Sequence, residues 1–285
     1  MIWQDVMVSG IYLISSFILF WLGKLVYSAT SPAFHFKEEL VEKDNAALAV
    51  AFSGYGFGLI LAIGGVMVGP SHGLDNDLID IGIYGGLSIV LMNLARLIND
   101  RLVLHSFSTV DEIVRDQNVG TGAVLGASYV ATGLVINGAI SGVLGGVVET
   151  LAFWALGQLA LVLAGLVYEK ITPYSIHDEI EKDNLAAGIA FAGALMGVGI
   201  IVRHAAAGDF ISWAVNLQEF GLEVVLSLVL LPIVRFLADV VLLPGQKLTD
   251  EIANQEHPNV GAGFIEAFSY VGASFLIVWS LKTSF

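Results

Sequence analysis

The sequence predicts an all-α polytopic membrane protein: eight transmembrane helices forming two parallel four-helix repeats, residues 1–145 and 146–285. Three observations predict it. Apolar residues make up 56% of the 285 positions and charged ones only 13%, with a mean hydropathy of +0.80, a balance unsuited to a water-exposed surface. Uncharged runs at Val6–Gly23, Ala46–Ser71, Gln117–Val148, Thr150–Tyr168 and Leu185–Val202 approach or exceed the roughly 18 to 20 residues that cross a hydrocarbon core as helix, and they lack the alternation of barrel strands. Finally, Glu42-Lys43-Asp44-Asn45 followed by Ala51-Phe52-Ser53-Gly54 returns 139 positions later as Glu181-Lys182-Asp183-Asn184 followed by Ala190-Phe191-Ala192-Gly193.

The spans are expected at about 7–27, 46–69, 78–98, 119–143, 149–168, 184–203, 219–243 and 259–282. The first has no basic stretch before it and ends in Trp21-Leu22-Gly23-Lys24, not in a small-residue cleavage site, so it reads as a retained span. The second and sixth begin behind Asn45 and Asn184 and carry Gly54/Gly58 and Gly193/Gly197. The fourth and eighth begin behind Asn118 and Asn259 and carry Gly122/Gly126 and Gly263/Ala267. Such small-xxx-small pairs let helices approach closely, so the even-numbered spans are expected to form a tight inner bundle. The third and seventh end in Arg96/Asp100 and Arg235/Asp239, and the sixth closes on Arg203-His204, read as an interface anchor.

The duplication extends well beyond its opening phrase. Tyr27 with Pro32 recurs as Tyr168 with Pro173, Asp111-Glu112-Ile113 as Asp250-Glu251-Ile252, and Asn118-Val119-Gly120 as Asn259-Val260-Gly261, at offsets of 139 to 141. An even number of spans per copy gives both the same orientation, which implies a pseudo-twofold axis along the membrane normal. Ten of the twelve Lys and Arg residues fall in or beside the loops after the odd-numbered spans, leaving Arg203 and Lys282 opposite. The positive-inside bias therefore places those loops in the cytoplasm and both termini outside.

At this point the residues carry a resemblance. Tyr-x-x-x-x-Pro, then Asp-Asn-x-Ala-x-x-x-Ala-Phe-x-Gly, then Asn-Val-Gly-x-Gly before the last span of each repeat resemble the bacterial inner-membrane family catalogued as domain of unknown function 350, the YjfL-like proteins. The resemblance implies an inner-membrane location and covers nearly the whole chain as two copies. It also implies that single-copy members pair to build what this chain builds alone, which makes a homo-oligomer one expected partnership beside the lipid bilayer.

Composition excludes several chemistries. There is no cysteine, six histidines without HExxH or paired-ligand spacing, no Walker loop and no nucleophile elbow. Neither cofactor nor metal nor enzymatic activity is expected. The formal charge of −14 disfavours nucleic acid and anionic-lipid partners. Acidic clusters at Glu38, Glu39, Glu42 and Asp44 and at Asp178, Glu179, Glu181 and Asp183 complement helix dipoles, concentrate cations and offer a surface to a basic cytoplasmic protein.

The site residues follow from position. Asn45, Asn118, Asn184 and Asn259 either cap the even-numbered helices or bring four positive helix ends together around a polar solute. Arg96/Asp100 and Arg235/Asp239 have i,i+4 spacing, so each reads as an intrahelical ion pair at the membrane edge or as an Arg reaching across to a carboxylate of the other repeat, and in a transport role the two pairs would hold the cytoplasmic gate. Glu266 lies inside the eighth span, with Tyr270 one turn on and Asn259 two turns back on broadly the same side. Its counterpart in the first copy is Leu125, so one specialised site is expected, not two equal ones. An ionisable group at that depth costs about 2.5 to 3.5 kcal/mol on insertion scales and marks function by default. Its structural partner would be Tyr270 or Tyr129. Glu223 in the seventh span is a second carboxylate of interest.

Two functions fit. The leading expectation is passage of a cation, proton or small cationic solute through the repeat interface, with Glu266 unpaired and binding or relaying it. The alternative is a non-transporting scaffold that recruits a cytoplasmic partner for membrane maintenance or envelope stress.

Overall fold

A computed structural model describes residues 2–68, 71–142, 145–243 and 245–281, with side chains from residue 6 onward. In chain order its helices are α1 (Ile2–Ala29), α2 (Ala46–Met67), α3 (Leu74–Ile98), α4 (Thr109–Val114), α5 (Val119–Ile140), α6 (Val147–Ile171), α7 (Ile176–Glu181), α8 (Leu185–Ala206), α9 (Trp213–Leu237), α10 (Leu248–Ile252) and α11 (Val260–Leu281). All eight expected spans are present. The third and seventh run on through π-helical turns at Asn99–Val103 and Ala238–Leu242, giving apolar stretches of 30 residues each. The expected ends at 69, 143 and 282 lie outside the described residues.

Each four-span repeat is itself two successive units of one plan. A unit is an outer helix, a short amphipathic helix or π turn, an Asn, and an inner helix. All four inner helices, α2, α5, α8 and α11, are 22 residues long, about 33 Å at roughly 1.5 Å per residue, which matches a hydrocarbon core of about 30 Å. All four begin at the same face, here the capped face.

The inner helices pack in the order α2–α5–α8–α11, and α3, α6 and α9 lie in the furrows between successive inner helices. The same register governs all three inner contacts. Counting from each Asn cap, the second residue of one helix faces the fourth of the next: Ala47 against Gly122, Gly120 against Gly188, Ala186 against Gly263. Further along, Gly58 meets Gly133, Ala131 meets Gly199 and Gly197 meets Ser274. A Cβ on Gly54 would fall on the backbone of Gly126, and one on Gly133 would fall on the Gly58 backbone. Main chains this close explain why small residues recur at these positions, since van der Waals contact replaces the hydrophobic effect between helices in lipid.

The tight inner bundle expected from the glycines is therefore an open row. A full half-turn between repeats would return α11 to α2, yet these two end helices share no packed interface. At the face opposite the caps, Arg203 does more than anchor an interface. Its Nε donates to Asn137 Oδ1 at 2.8 Å, and Asn137 in turn donates to the Leu61 carbonyl at 2.8 Å, tying α8 to α5 to α2.

Candidate functional site: a buried arginine and glutamate

Glu266 projects from the second turn of α11 into the second repeat and is fully buried. Its Oε1 forms an ion pair with Arg235 of α9 and accepts from the Tyr168 hydroxyl of α6 at 2.9 Å and from the Tyr270 hydroxyl at 3.4 Å. Its Oε2 has no hydrogen-bond partner among the described residues. Arg235 also approaches Thr249 Oγ1 at 3.4 Å and the Tyr174 ring, 5.9 Å from its centroid. The guanidinium lines a cavity of about 300 Å³ together with Pro232, Asp239 and Thr249, whereas Glu266 does not reach that cavity. Arg235 thus stands between an opening near the capped face and the carboxylate. On the other side, Tyr270, Ser227 and Ser274 line a void of only about 10 Å³, the scale of one water.

The first repeat builds the same corner without the acid. Arg96 lies 4.0 Å over the Tyr27 ring and donates to Thr30 Oγ1 at 2.8 Å and Ser31 Oγ at 2.7 Å, and the position equivalent to Glu266 is Leu125. Tyr129 belongs here, packed edge-on against Tyr27 and Tyr55. Only the second copy is charged on both sides.

Three sequence expectations are corrected by this geometry. Glu266 is paired, and the pair lies inside the second repeat, away from the repeat interface. That interface, α5 against α8, is closed by backbone contacts, and the groove across the four inner helices, about 640 Å³, has almost no polar lining. The Arg/Asp pairs also do not form. The π turns rotate each Asp off the face of its Arg, so Asp100 accepts from Thr109 Oγ1 at 2.7 Å and Asp239 from the Leu248 backbone N–H at 2.6 Å, each fixing a short helix. Arg235 reaches a carboxylate of its own repeat. Glu223 sits apart, bonded to His204 Nδ1 at 2.8 Å.

The asparagines do cap. Asn45, Asn118, Asn184 and Asn259 accept from Leu48, Thr121, Ala187 and Ala262 N–H groups at 2.9 to 3.2 Å. Each amide bonds a glutamate of its own unit, Glu39, Glu112, Glu179 and Glu251, so among the described residues the four caps form a line of Asn–Glu pairs and do not converge on a common solute. Among these acids burial raises Glu112, and Asp116, Asp183 and Glu181 add to the effect against the Asn118 hydrogen bond. Burial also pushes Glu39 up, but hydrogen bonds from Lys43 and Asn45 and the Lys43 charge outweigh it, so Glu39 titrates low.

Sequence reasoning missed Tyr168, Tyr174 and Thr249 as members of the site. Tyr168 carried a signal, since it recurs as Tyr27 at the end of the first span of each repeat.

Fold and site together define a multi-pass α-helical membrane protein of tandem four-span repeats, with a buried Arg–Glu pair set in the second. The chain belongs to the family described as Domain of Unknown Function (DUF350), whose model matches residues 1–140 and again 142–281. It is similar to the UPF0719 transmembrane protein YshE of Bacillus subtilis (strain 168), 33% identical over 130 residues that cover 46% of this chain and 90% of that protein. The matched relative is therefore about one repeat long. No solved structure matches.

Proposed function

We propose that this chain is a non-enzymatic, proton-handling protein of the bacterial inner membrane, a proton path or proton-coupled transporter centred on Arg235 and Glu266. The observation that carries the reading is the uneven coordination of Glu266. Oε1 holds all three donors, and Oε2 holds none. A proton can be taken up at Oε2 without displacing Arg235, and the Tyr168 and Tyr270 hydroxyls offer exchangeable protons beside it.

The broader expectation of a cation or small cationic solute narrows for an electrostatic reason. Any cation arriving from the cavity meets the guanidinium first, and like charges in a low-dielectric site repel strongly. The charge bias of the loops supports a cytoplasmic capped face, so the cavity opens inward in this reading.

The test is proton flux into proteoliposomes under a pH gradient. Wild type dissipates the gradient, Glu266→Gln does not, and Glu223→Gln behaves as wild type. Absence of wild-type flux above empty vesicles, or flux indifferent to Glu266→Gln, refutes the reading.

A scaffold role has one observation in its favour. Glu42, Asp44, Asp178, Glu181 and Asp183 remain exposed at the capped face and offer a surface to a basic protein. Charge reversal there abolishes recruitment and leaves any flux intact.

A further inference from the structure

The row of inner helices is built by one repeated step, and both of its ends carry the unmet half of that step. At each interior junction the Asn side-chain amide makes two bonds. One goes to the Glu of its own unit. The other crosses to the carbonyl that follows the Glu of the next unit: Asn45 to Ile113 at 2.8 Å, Asn118 to Ile180 at 2.5 Å, Asn184 to Ile252 at 2.8 Å. These three asparagines are 1%, 2% and 3% exposed.

Asn259 is the fourth of the series. It keeps its bond to Glu251, but its second N–H has no acceptor among the described residues and the residue is exposed. At the other end of the row, the carbonyl following Glu39 belongs to Leu40. No side chain among the described residues donates to it, and Leu40 is half-exposed where Ile113, Ile180 and Ile252 are buried. The donor left over at α11 and the acceptor left over beside α2 are the two halves of one junction.

We propose that a second copy of this chain completes the junction, with α11 of one copy packed on α2 of the next in the interior register and Asn259 donating to the Leu40 carbonyl. That register sets Gly261 against Ala49 and Gly272 against Ile60. A Cβ on Gly261 would meet only its own cap oxygen, Asn259 Oδ1, where the equivalent Gly120 also meets the Asn184 backbone of the next helix, and one on Gly272 would meet only its own Phe268. Phe268 stands where the interior junctions have Gly54, Ala127 and Gly193, so this contact is wider at mid-helix, with Phe268 facing Ser53.

The outer layer gives a second, independent fit. In the interior, the outer helix of each unit also packs against the inner helix of the unit before it, as α3 does on α2, α6 on α5 and α9 on α8. Helix α1 has no preceding unit in its own chain and is the least buried span. An apolar groove of about 600 Å³ runs between α9 and α11, lined by Val234, Leu237, Gly272 and Leu276 among others, and α1 of the second copy seats there. The contact joins different surfaces of identical chains, so it is head-to-tail and generates a ring where the rotation closes.

Because the chain has no cysteine, disulfide trapping in native membranes is clean. The full chain carrying both Ala49→Cys and Gly261→Cys should give oxidant-dependent dimers and higher species, with more than ten times the cross-linking of either single variant. Native mass of the unmodified protein in nanodiscs should be two or more times that of one chain. Cross-linking by a single variant alone would show a twofold contact and overturn the head-to-tail arrangement. No cross-linking in the double variant, with a monomeric native mass, would overturn the assembly altogether.

Discussion

Glu266 and Arg235 meet in the interior of the second repeat, 31 residues apart in sequence and on neighbouring helices α11 and α9. Their first-repeat counterparts are Leu125 and Arg96, and the latter balances its charge on hydroxyls and the Tyr27 ring. The comparison isolates what the acid adds.

Removing one member of a buried ion pair leaves the other uncompensated, at a cost of about 3 to 5 kcal/mol, whereas replacing both with apolar groups of similar volume is close to neutral. Glu266→Leu and Arg235→Met should therefore each lower thermal stability in detergent strongly, and the double variant should recover most of the loss. A double-mutant cycle that comes out additive contradicts direct coupling between the two.

The caps should separate by burial. Asn118→Ala removes an N-cap, worth about 0.5 to 2 kcal/mol, and leaves the buried Glu112 carboxylate short of a donor, so denaturation should show more than the cap alone. Asn259→Ala should cost only the cap in the isolated chain. Equal losses at the two sites would contradict the assigned environments.

Glu112 and Glu39 make a pair of opposite sign in pH. The Glu112 pKa is raised in the fold above its ordinary value near 4.5, so its contribution is fully present below that value and is lost as pH rises through the raised one. Glu39 is lowered, so its contribution is present above the ordinary value and is lost as pH falls through the lowered one. Unfolding measured from pH 3 to 8, roughly the range over which a shifted carboxylate titrates, should show Glu112→Gln gaining on wild type as pH rises and Glu39→Gln losing. Parallel curves for the two variants would contradict both assignments.

Glycines should divide by what their missing Cβ would meet. Gly54→Ala drives a methyl into the Gly126 backbone and should destabilise the α2–α5 contact. Gly82 on α3 has nothing within reach of a Cβ, so Gly82→Ala should be neutral or gain up to about 1 kcal/mol from helix propensity. Thermal unfolding of the two variants side by side decides it.

The sequence exposed whatever depends on composition and position along one helix. Eight spans, the duplication, the four Asn caps and Glu266 as a lone acid in an apolar run were all legible because each is a local pattern. The partner of Glu266 was not. Spacing pointed Arg235 at Asp239, and nothing in the residues announces the π turn at Ala238–Leu242 that separates them. The two-span unit inside each repeat was hidden as well, since its asparagines fall 73, 66 and 75 residues apart and the outer helices share little identity. Only the recurring backbone contacts and Asn-to-carbonyl bonds show that one step is repeated three times.

The central claim is that Glu266 takes up and releases a proton in the folded protein. Infrared difference spectroscopy of the reconstituted protein across a pH jump reads this directly through the carbonyl stretch of a protonated carboxylic acid. The account predicts a reversibly titrating buried-carboxyl component that is lost in Glu266→Gln and persists both in Glu223→Gln and in Glu112→Gln, another buried acid, whose own pKa is raised. A wild-type spectrum with no such band, or one unchanged by Glu266→Gln, would leave the Arg235–Glu266 pair a fixed structural contact and contradict the account.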